Sequence, residues 1–247
     1  MRYRSANPVL RTMRNQTSYV GATQASYSGV VLKSGFLLLL MSIVGMYIFS
    51  QIMNMATFPS GLFGLVILAP IIAFISVIIG MRSLRLSWLF SSIYALCQGA
   101  FLGLISGMYE IAFGDGIVAT AMLSTMGVFL AMLILYSSGM FRVTENFRKV
   151  LFTALLGLVF SSLFLILFSL IGVFNYGQMM GLIFVIVIIS VVVASLYLMV
   201  DFDNIRTMVE AGADKRTEWM LSLGLLVTLV WLYVELLRLI AILRSRR

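Results

Sequence analysis

Apolar residues occupy this chain in seven long runs, which short polar or charged stretches separate. The runs cover approximately residues 35–54, 61–80, 88–109, 117–138, 150–174, 179–201 and 219–243. Each run is close to the ~20 residues that an α-helix needs to cross a bilayer. The pattern therefore predicts an all-α, polytopic membrane protein. Its seven transmembrane helices form one domain over residues 34–247, and a polar basic arm over residues 1–33 precedes it.

The composition supports this class and narrows the chemistry. The chain is 62% hydrophobic and 11% charged, whereas soluble domains carry about 25% charged residues. The single cysteine, Cys97, excludes an intrachain disulfide, and the absence of histidine removes the commonest metal ligand and general base. The lysines Lys33, Lys149 and Lys215 all lie in predicted loops or at helix ends. We therefore expect no enzyme activity and no cofactor.

The charges between the runs predict the topology. Basic connections follow the second, fourth and sixth runs, and neutral or acidic connections follow the first, third and fifth. Basic loops mark the cytoplasmic face, so we expect the amino terminus in the cytoplasm. The net charge of +8 then matches an anionic membrane surface and not a nucleic acid.

Two segments leave an alternative open. Seven crossings place the basic tail of Arg244, Arg246 and Arg247 outside, against the charge rule, so a re-entrant seventh segment is the alternative. The length of residues 219–243 favours a full crossing. The arm carries four arginines and no acid, which indicates a cytoplasmic arm, with a mitochondrial presequence as the alternative.

One helix carries a packing motif. Gly99, Gly103 and Gly107 recur every four residues and share one face of the third helix, where a neighbouring helix can approach closely. Gln98 lies beside this ladder. Its amide suits an interhelical hydrogen bond or, alternatively, a polar contact in a transport pathway.

Ionisable residues gather at three places within or near membrane depth. Glu235 is the most informative, because an ionisable residue at a membrane helix centre costs ~2.5–3.5 kcal/mol. Such residues usually face a bundle interior or a watery cavity. Arg238, one turn away, offers an internal ion pair. The three groups are Arg82 with Arg85, Tyr197 with Asp201 and Asp203, and the helical stripe Thr228, Trp231, Glu235 and Arg238.

Carboxylates at such places have a specific use. Their oxygens suit hard cations such as Ca²⁺, and acids near a pore select cations. Burial raises the pKa of a carboxyl group and a neighbouring arginine lowers it, so proton and cation occupancy become linked. Asp201 and Glu235 are therefore candidate ion or proton sites and candidate Ca²⁺ ligands.

Three stretches make the chain resemble the Bax inhibitor-1 family of membrane proteins, which includes bacterial calcium-leak proteins. They are Gly80–Arg82, Ser195–Ile205 and Leu232–Ile240. The resemblance covers about residues 30–245. It implies two three-helix layers around a central seventh helix, in a bacterial inner membrane. It also implies a pH-sensitive cation leak, controlled by two aspartates that share protons and by an arginine that latches one of them.

Position by position, the resemblance places the sixth-helix acid on Asp201 and the latch arginine on Arg82. The second acid falls on Thr228, so this chain lacks the family's acid pair. Glu235 lies on the same helix face, about 10 Å further along at ~1.5 Å per residue, and would replace it.

Two functions remain open. One is a pH-sensitive cation (Ca²⁺) leak channel or transporter, with an Arg82–Asp201 latch and an intramembrane site at Glu235. The other is a non-conducting stress or quality-control protein, which would bind other membrane proteins through the glycine face and the basic arm.

Overall fold

The computed structural model of the protein describes residues 24–54, 60–114, 116–171 and 176–245. Its helices are α1 (Tyr27–Asn54), α2 (Ser60–Arg82), α3 (Ser87–Phe113), α4 (Ile117–Ser137), α5 (Glu145–Ile171), α6 (Tyr176–Glu210) and α7 (Thr217–Ser245). The predicted all-α class and the seven helices are confirmed. Six of the helices are long and apolar enough to cross a membrane, and α2 contributes a shorter described apolar segment, Leu68–Arg82. Most of the arm and the last two residues lie outside the described ranges.

Helices suit these sequences because a bilayer offers no hydrogen-bond partner to the backbone, and a helix satisfies its own. The central element is α7, which packs against α1, α2 and α3 on one side and against α4 and α6 on the other. Its leucines Leu223, Leu232 and Leu237 are fully buried. Within the layers, α3 joins α1 to α2, and α6 joins α4 to α5. The predicted arrangement of two three-helix layers around the last helix is therefore confirmed.

The seventh segment runs from one end of the bundle to the other. With 29 residues, α7 is about 43 Å long at ~1.5 Å per residue. It starts beside the beginning of α1, where Lys33 pairs with Glu218. It ends beside the α3–α4 connection, where Arg244 Nη1 donates to the carbonyls of Phe113 and Gly114, both at 3.1 Å. Helix α7 is therefore continuous from one end of the bundle to the other, as a full crossing requires, and the crossing itself stays a prediction.

A glycine ends α6 and positions the connection to α7. Gly212 has φ +66°, a left-handed conformation that glycine adopts without steric cost. The Gly212 amide donates to the Val209 carbonyl at 3.0 Å and the Ala213 amide to the Met208 carbonyl at 3.1 Å, which closes the helix end. The Ala25 amide then donates to the Ala213 carbonyl at 2.8 Å. The segment before α1 is thus docked onto the α6–α7 connection.

The glycine ladder of α3 packs against α1. A Cβ atom at Gly99 would collide with the backbone carbonyl oxygen of Met41, and one at Gly103 with that of Gly45. The predicted role in close helix packing is therefore confirmed. Because α1 already covers Gly99 and Gly103, this part of the face is not open to a partner protein.

Candidate functional site

Helix α6 carries Asp201 to the central helix. A Cβ atom at Gly224 of α7 would lie 4.0 Å from Asp201 Oδ1, so the missing side chain leaves room for the carboxyl group. Asp201 Oδ2 is buried and has no hydrogen-bond partner in the described part of the chain. Thr228, one turn further along α7, is buried. Its hydroxyl donates to the Gly224 carbonyl at 3.4 Å, and its side chain lies beside the Asp201 carboxyl group. The sequence position at which the resemblance expects a second acid therefore does face Asp201.

The end of α2 forms another part of this site. Met81 reaches Gly224, with its Cε atom 3.5 Å from the place of a Cβ. Arg82, the next residue, is exposed. Among the described residues it forms no ion pair with Asp201. The structure thus places Arg82 at the rim of the site, and the predicted latch is not closed here.

Another arginine, Arg148 in the first turn of α5, binds the polar residues Asp203 and Asn204 near the end of α6. Its Nη2 forms an ion pair with Asp203 Oδ2 at 2.5 Å, and its Nη1 donates to Asn204 Oδ1 at 2.7 Å. The Tyr136 hydroxyl of α4 donates to Asp203 Oδ1 at 3.1 Å. Asp203 is therefore engaged in a network that joins α4, α5 and α6. In the sequence, Arg148 is only one of the basic residues that follow the fourth apolar run and predict topology, and nothing in its local sequence indicates this pairing.

Trp231, another residue of the α7 stripe, attaches α7 to α6. The rings of Tyr197 and Trp231 lie 5.9 Å apart, and Trp231 Nε1 donates to Ser190 Oγ at 3.2 Å. Gln98 is half-buried on α3, and α3 does not contact α6 in the described part of the fold. Gln98 is thus separate from the group around Asp201.

Glu235 points into the protein. Its side chain is 12% exposed and its carboxylate lies 3.7 Å from Arg238 Nη1, while the Arg238 side chain is 44% exposed. The predicted internal pair is therefore present. Even so, Glu235 Oε2 is buried without a hydrogen-bond partner among the described residues. The acid is shielded from lipid but only loosely neutralised.

The two candidate carboxylates do not form one metal site. Glu235 follows Thr228, the residue that faces Asp201, by seven positions, or about 10 Å along the axis. Ca²⁺ requires ~6–8 oxygen ligands at ~2.3–2.6 Å. In the described ranges no three His, Cys, Asp or Glu residues are grouped closely enough to hold a metal ion. Asp201 and Glu235 are therefore separate candidates, and a Ca²⁺ role for either stays a prediction.

A further buried acid lies at the start of α7, and no sequence motif points to it. Glu218 is fully buried and accepts from Lys33 Nζ at 2.6 Å and from the Ser26 amide at 2.8 Å. Gly29 of α1 has no room for a Cβ beside this carboxylate. The pair joins the beginning of α1 to the beginning of α7, so it fixes the central helix at this end.

At the opposite end, Glu110 is a buried helix cap and not a solvated loop acid. It accepts from the Val118 amide at 3.0 Å and from the Gly116 amide at the start of α4. Nearby, Ser106 of α3 and Tyr233 of α7 share a buried hydrogen bond of 2.7 Å. These contacts hold α3, α4 and α7 together, as expected where a carboxylate meets free amides at a helix start.

Comparison with known proteins extends the resemblance to nearly the whole chain. The family model described as Bax inhibitor 1 like matches residues 7–245. That range includes all seven helices. No curated protein matches the chain.

Proposed function

Because the chain belongs to the Bax inhibitor 1 like family, we propose that this multi-pass membrane protein is a pH-sensitive cation leak, with Ca²⁺ as the ion. We place it in a bacterial inner membrane with its amino terminus in the cytoplasm. The observation that carries the proposal is the carboxyl group of Asp201. It sits against the central helix with one buried oxygen lacking a hydrogen-bond partner among the described residues.

A buried carboxylate oxygen without a hydrogen-bond partner is costly, since it has lost its water and no polar group has replaced it. A proton, a cation or an arginine can supply the missing interaction. Each occupant changes the charge between α6 and α7, because the proton removes the negative charge and the cation or arginine balances it. Gly224 itself adds no side chain beside Asp201 Oδ1, so the neighbours of the carboxyl group there are Thr228 and Met81. Proton and cation occupancy are linked in this arrangement.

Two arginines have different parts in the proposal. Arg148 holds Asp203 and Asn204 and so fixes the end of α6. Arg82 lies at the rim with no ion pair to Asp201 among the described residues. In the latched state, Arg82 at the end of α2 pairs with Asp201. Ionisation of Asp201 favours that pair, and protonation removes it.

Glu235 provides a second intramembrane acid nearer the other end of α7. Its Oε2 atom lies 3.7 Å from Arg238 Nη1, which lowers the cost of the charge, but makes no hydrogen bond among the described residues, so a proton or a cation can compete with this long ion pair. Residues of this kind inside a membrane mark ion and proton paths more often than not. We place Glu235 on the same ion path as Asp201, further along α7 toward its carboxyl-terminal end.

The test is Ca²⁺ entry into liposomes that contain the purified protein, measured with a trapped fluorescent dye between about pH 6 and pH 8. We expect a flux that changes with pH, and we expect Glu235→Gln to alter it while the exposed Glu145→Gln does not. Protein-free liposomes give the background. No flux above background at any pH would overturn the proposal. A membrane protein co-purifying in stoichiometric amount would then favour the non-conducting, partner-binding function.

A further inference from the structure

An open cleft lies at the end of the bundle where α3 and α7 begin. Its volume is about 420 Å³, and Leu84, Arg85, Trp88, Arg216 and Trp219 line it. Arg85 and Leu84 belong to the short α2–α3 connection, and Arg216 precedes α7. The volume falls within the ~300–1,000 Å³ range of small-molecule sites. Nothing in the proposed conduction path uses this cleft.

The cleft is positively charged. The guanidinium groups of Arg85 and Arg216 are exposed, and neither makes an ion pair or a side-chain hydrogen bond among the described residues. The nearby acid, Glu218, is already neutralised by Lys33. Lys33 also lies over the Trp219 ring, 5.2 Å from its centroid. Two arginines thus line the open space without an ion pair in the described part of the chain. The nearby carboxylate of Asp214 accepts from the Arg216 backbone amide at 2.8 Å and does not reach either guanidinium group as an ion-pair partner there.

The lip of the cleft is apolar. Trp88 and Leu84, which line the cleft, are 54% and 41% exposed, and Leu86 and Leu89, next to them in the chain, are 44% and 37% exposed. Tryptophan concentrates at the level of lipid headgroups, where one side of the ring meets acyl chains and the other meets water. The cleft therefore combines a basic floor with a rim that suits hydrocarbon, which is the chemistry of a phospholipid and not of a soluble anion.

We propose that this cleft binds the headgroup of an anionic phospholipid. The phosphate lies between Arg85 and Arg216, since guanidinium groups match phosphate oxygens in planar, paired hydrogen bonds. The acyl chains lie along Leu84, Leu86 and Leu89. Basic pockets at helix ends are known headgroup sites on membrane proteins. The bound lipid links the α2–α3 connection to the start of the central helix.

The experiment compares two brominated lipids, which quench tryptophan fluorescence, in liposomes that contain the whole protein. Dibrominated phosphatidylglycerol carries the anionic headgroup, and dibrominated phosphatidylcholine is the neutral reference. Two of the three tryptophans, Trp88 and Trp219, lie in the cleft. We expect the anionic lipid to be preferred roughly 30-fold, which corresponds to about 1 kcal/mol for each of two basic residues.

Variants decide the assignment. Arg85→Gln/Arg216→Gln removes the two cleft charges and is expected to abolish the preference. Arg142→Gln/Lys149→Gln removes two exposed charges from the α4–α5 region and is expected to leave it intact. Equal quenching by the two lipids in the unaltered protein would overturn the proposal, as would a preference that both variants lose equally. Relief of quenching by millimolar inorganic phosphate would show a soluble-anion site and would also reject the lipid assignment.

Discussion

Thr228→Asp is expected to make Ca²⁺ flux depend steeply on pH, with a change of about tenfold between about pH 6 and pH 8. Thr228 is buried on α7 and its side chain interacts with the Asp201 carboxyl group. An aspartate there puts two carboxyl groups side by side. Like charges at such a distance cannot both ionise easily, so the pair shares a proton over a range of pH. A shift of one pKa unit alters occupancy tenfold, which sets the expected size.

Thr228→Asn is the matched control, because asparagine has nearly the shape of aspartate and does not titrate. Both variants are measured in liposomes at equal protein content. The expected result is a steep profile for Thr228→Asp and a profile close to that of the unaltered protein for Thr228→Asn. Identical profiles for the two substitutions would contradict a direct pairing of position 228 with Asp201.

Glu218→Gln is expected to lower the free energy of unfolding by about 3 kcal/mol. The Glu218 side chain is 1% exposed and its partner Lys33 is 17% exposed, so the pair is largely shielded from water. Breaking a buried ion pair by removing one partner costs about 3–5 kcal/mol, because the remaining charge loses its compensation. We expect the lower end of that range, since the partly exposed ammonium group of Lys33 can reach water.

The chain supplies a matched control in Glu210, which pairs with Arg206 at 2.8 Å but with both side chains more than half exposed. Exposed pairs of this kind contribute about 0–1 kcal/mol. The unfolding temperature of the purified protein in detergent should therefore fall clearly for Glu218→Gln and hardly change for Glu210→Gln. Equal effects would show that Glu218 does not fasten α7 to α1.

The fold could be predicted from the sequence because its main determinant is local. A run of about 20 apolar residues must form a helix in a bilayer whatever its neighbours are. The ends of the helices were harder to predict from the sequence. The apolar run of α6 stops near residue 201, yet the helix continues to Glu210, where Gly212 closes it. Polar residues such as Asp203 and Asn204 thus extend α6 beyond its apolar core.

The site could be predicted only in part. Asp201 and Thr228 face each other as the family resemblance implied, because that motif records a contact between two helices. The ion pair of Arg148 with Asp203 joins residues 55 positions apart, and that of Lys33 with Glu218 joins residues 185 apart. Neither follows from spacing along one helix, since both depend on how the layers pack. Arg82 is the opposite case. The resemblance predicts an ion pair between Arg82 and Asp201, and the described part of the structure does not contain it.

In the proposed mechanism, the carboxyl group of Asp201, and not acidity at this end of α6 in general, sets the pH response. The most direct measurement compares Ca²⁺ flux in liposomes for Asp201→Asn and Asp203→Asn between about pH 6 and pH 8. The two substitutions remove the same charge two residues apart, one against α7 and one against Arg148. We predict that Asp201→Asn flattens the pH profile and that Asp203→Asn leaves it pH-dependent. A profile that stays pH-dependent in Asp201→Asn would contradict the account.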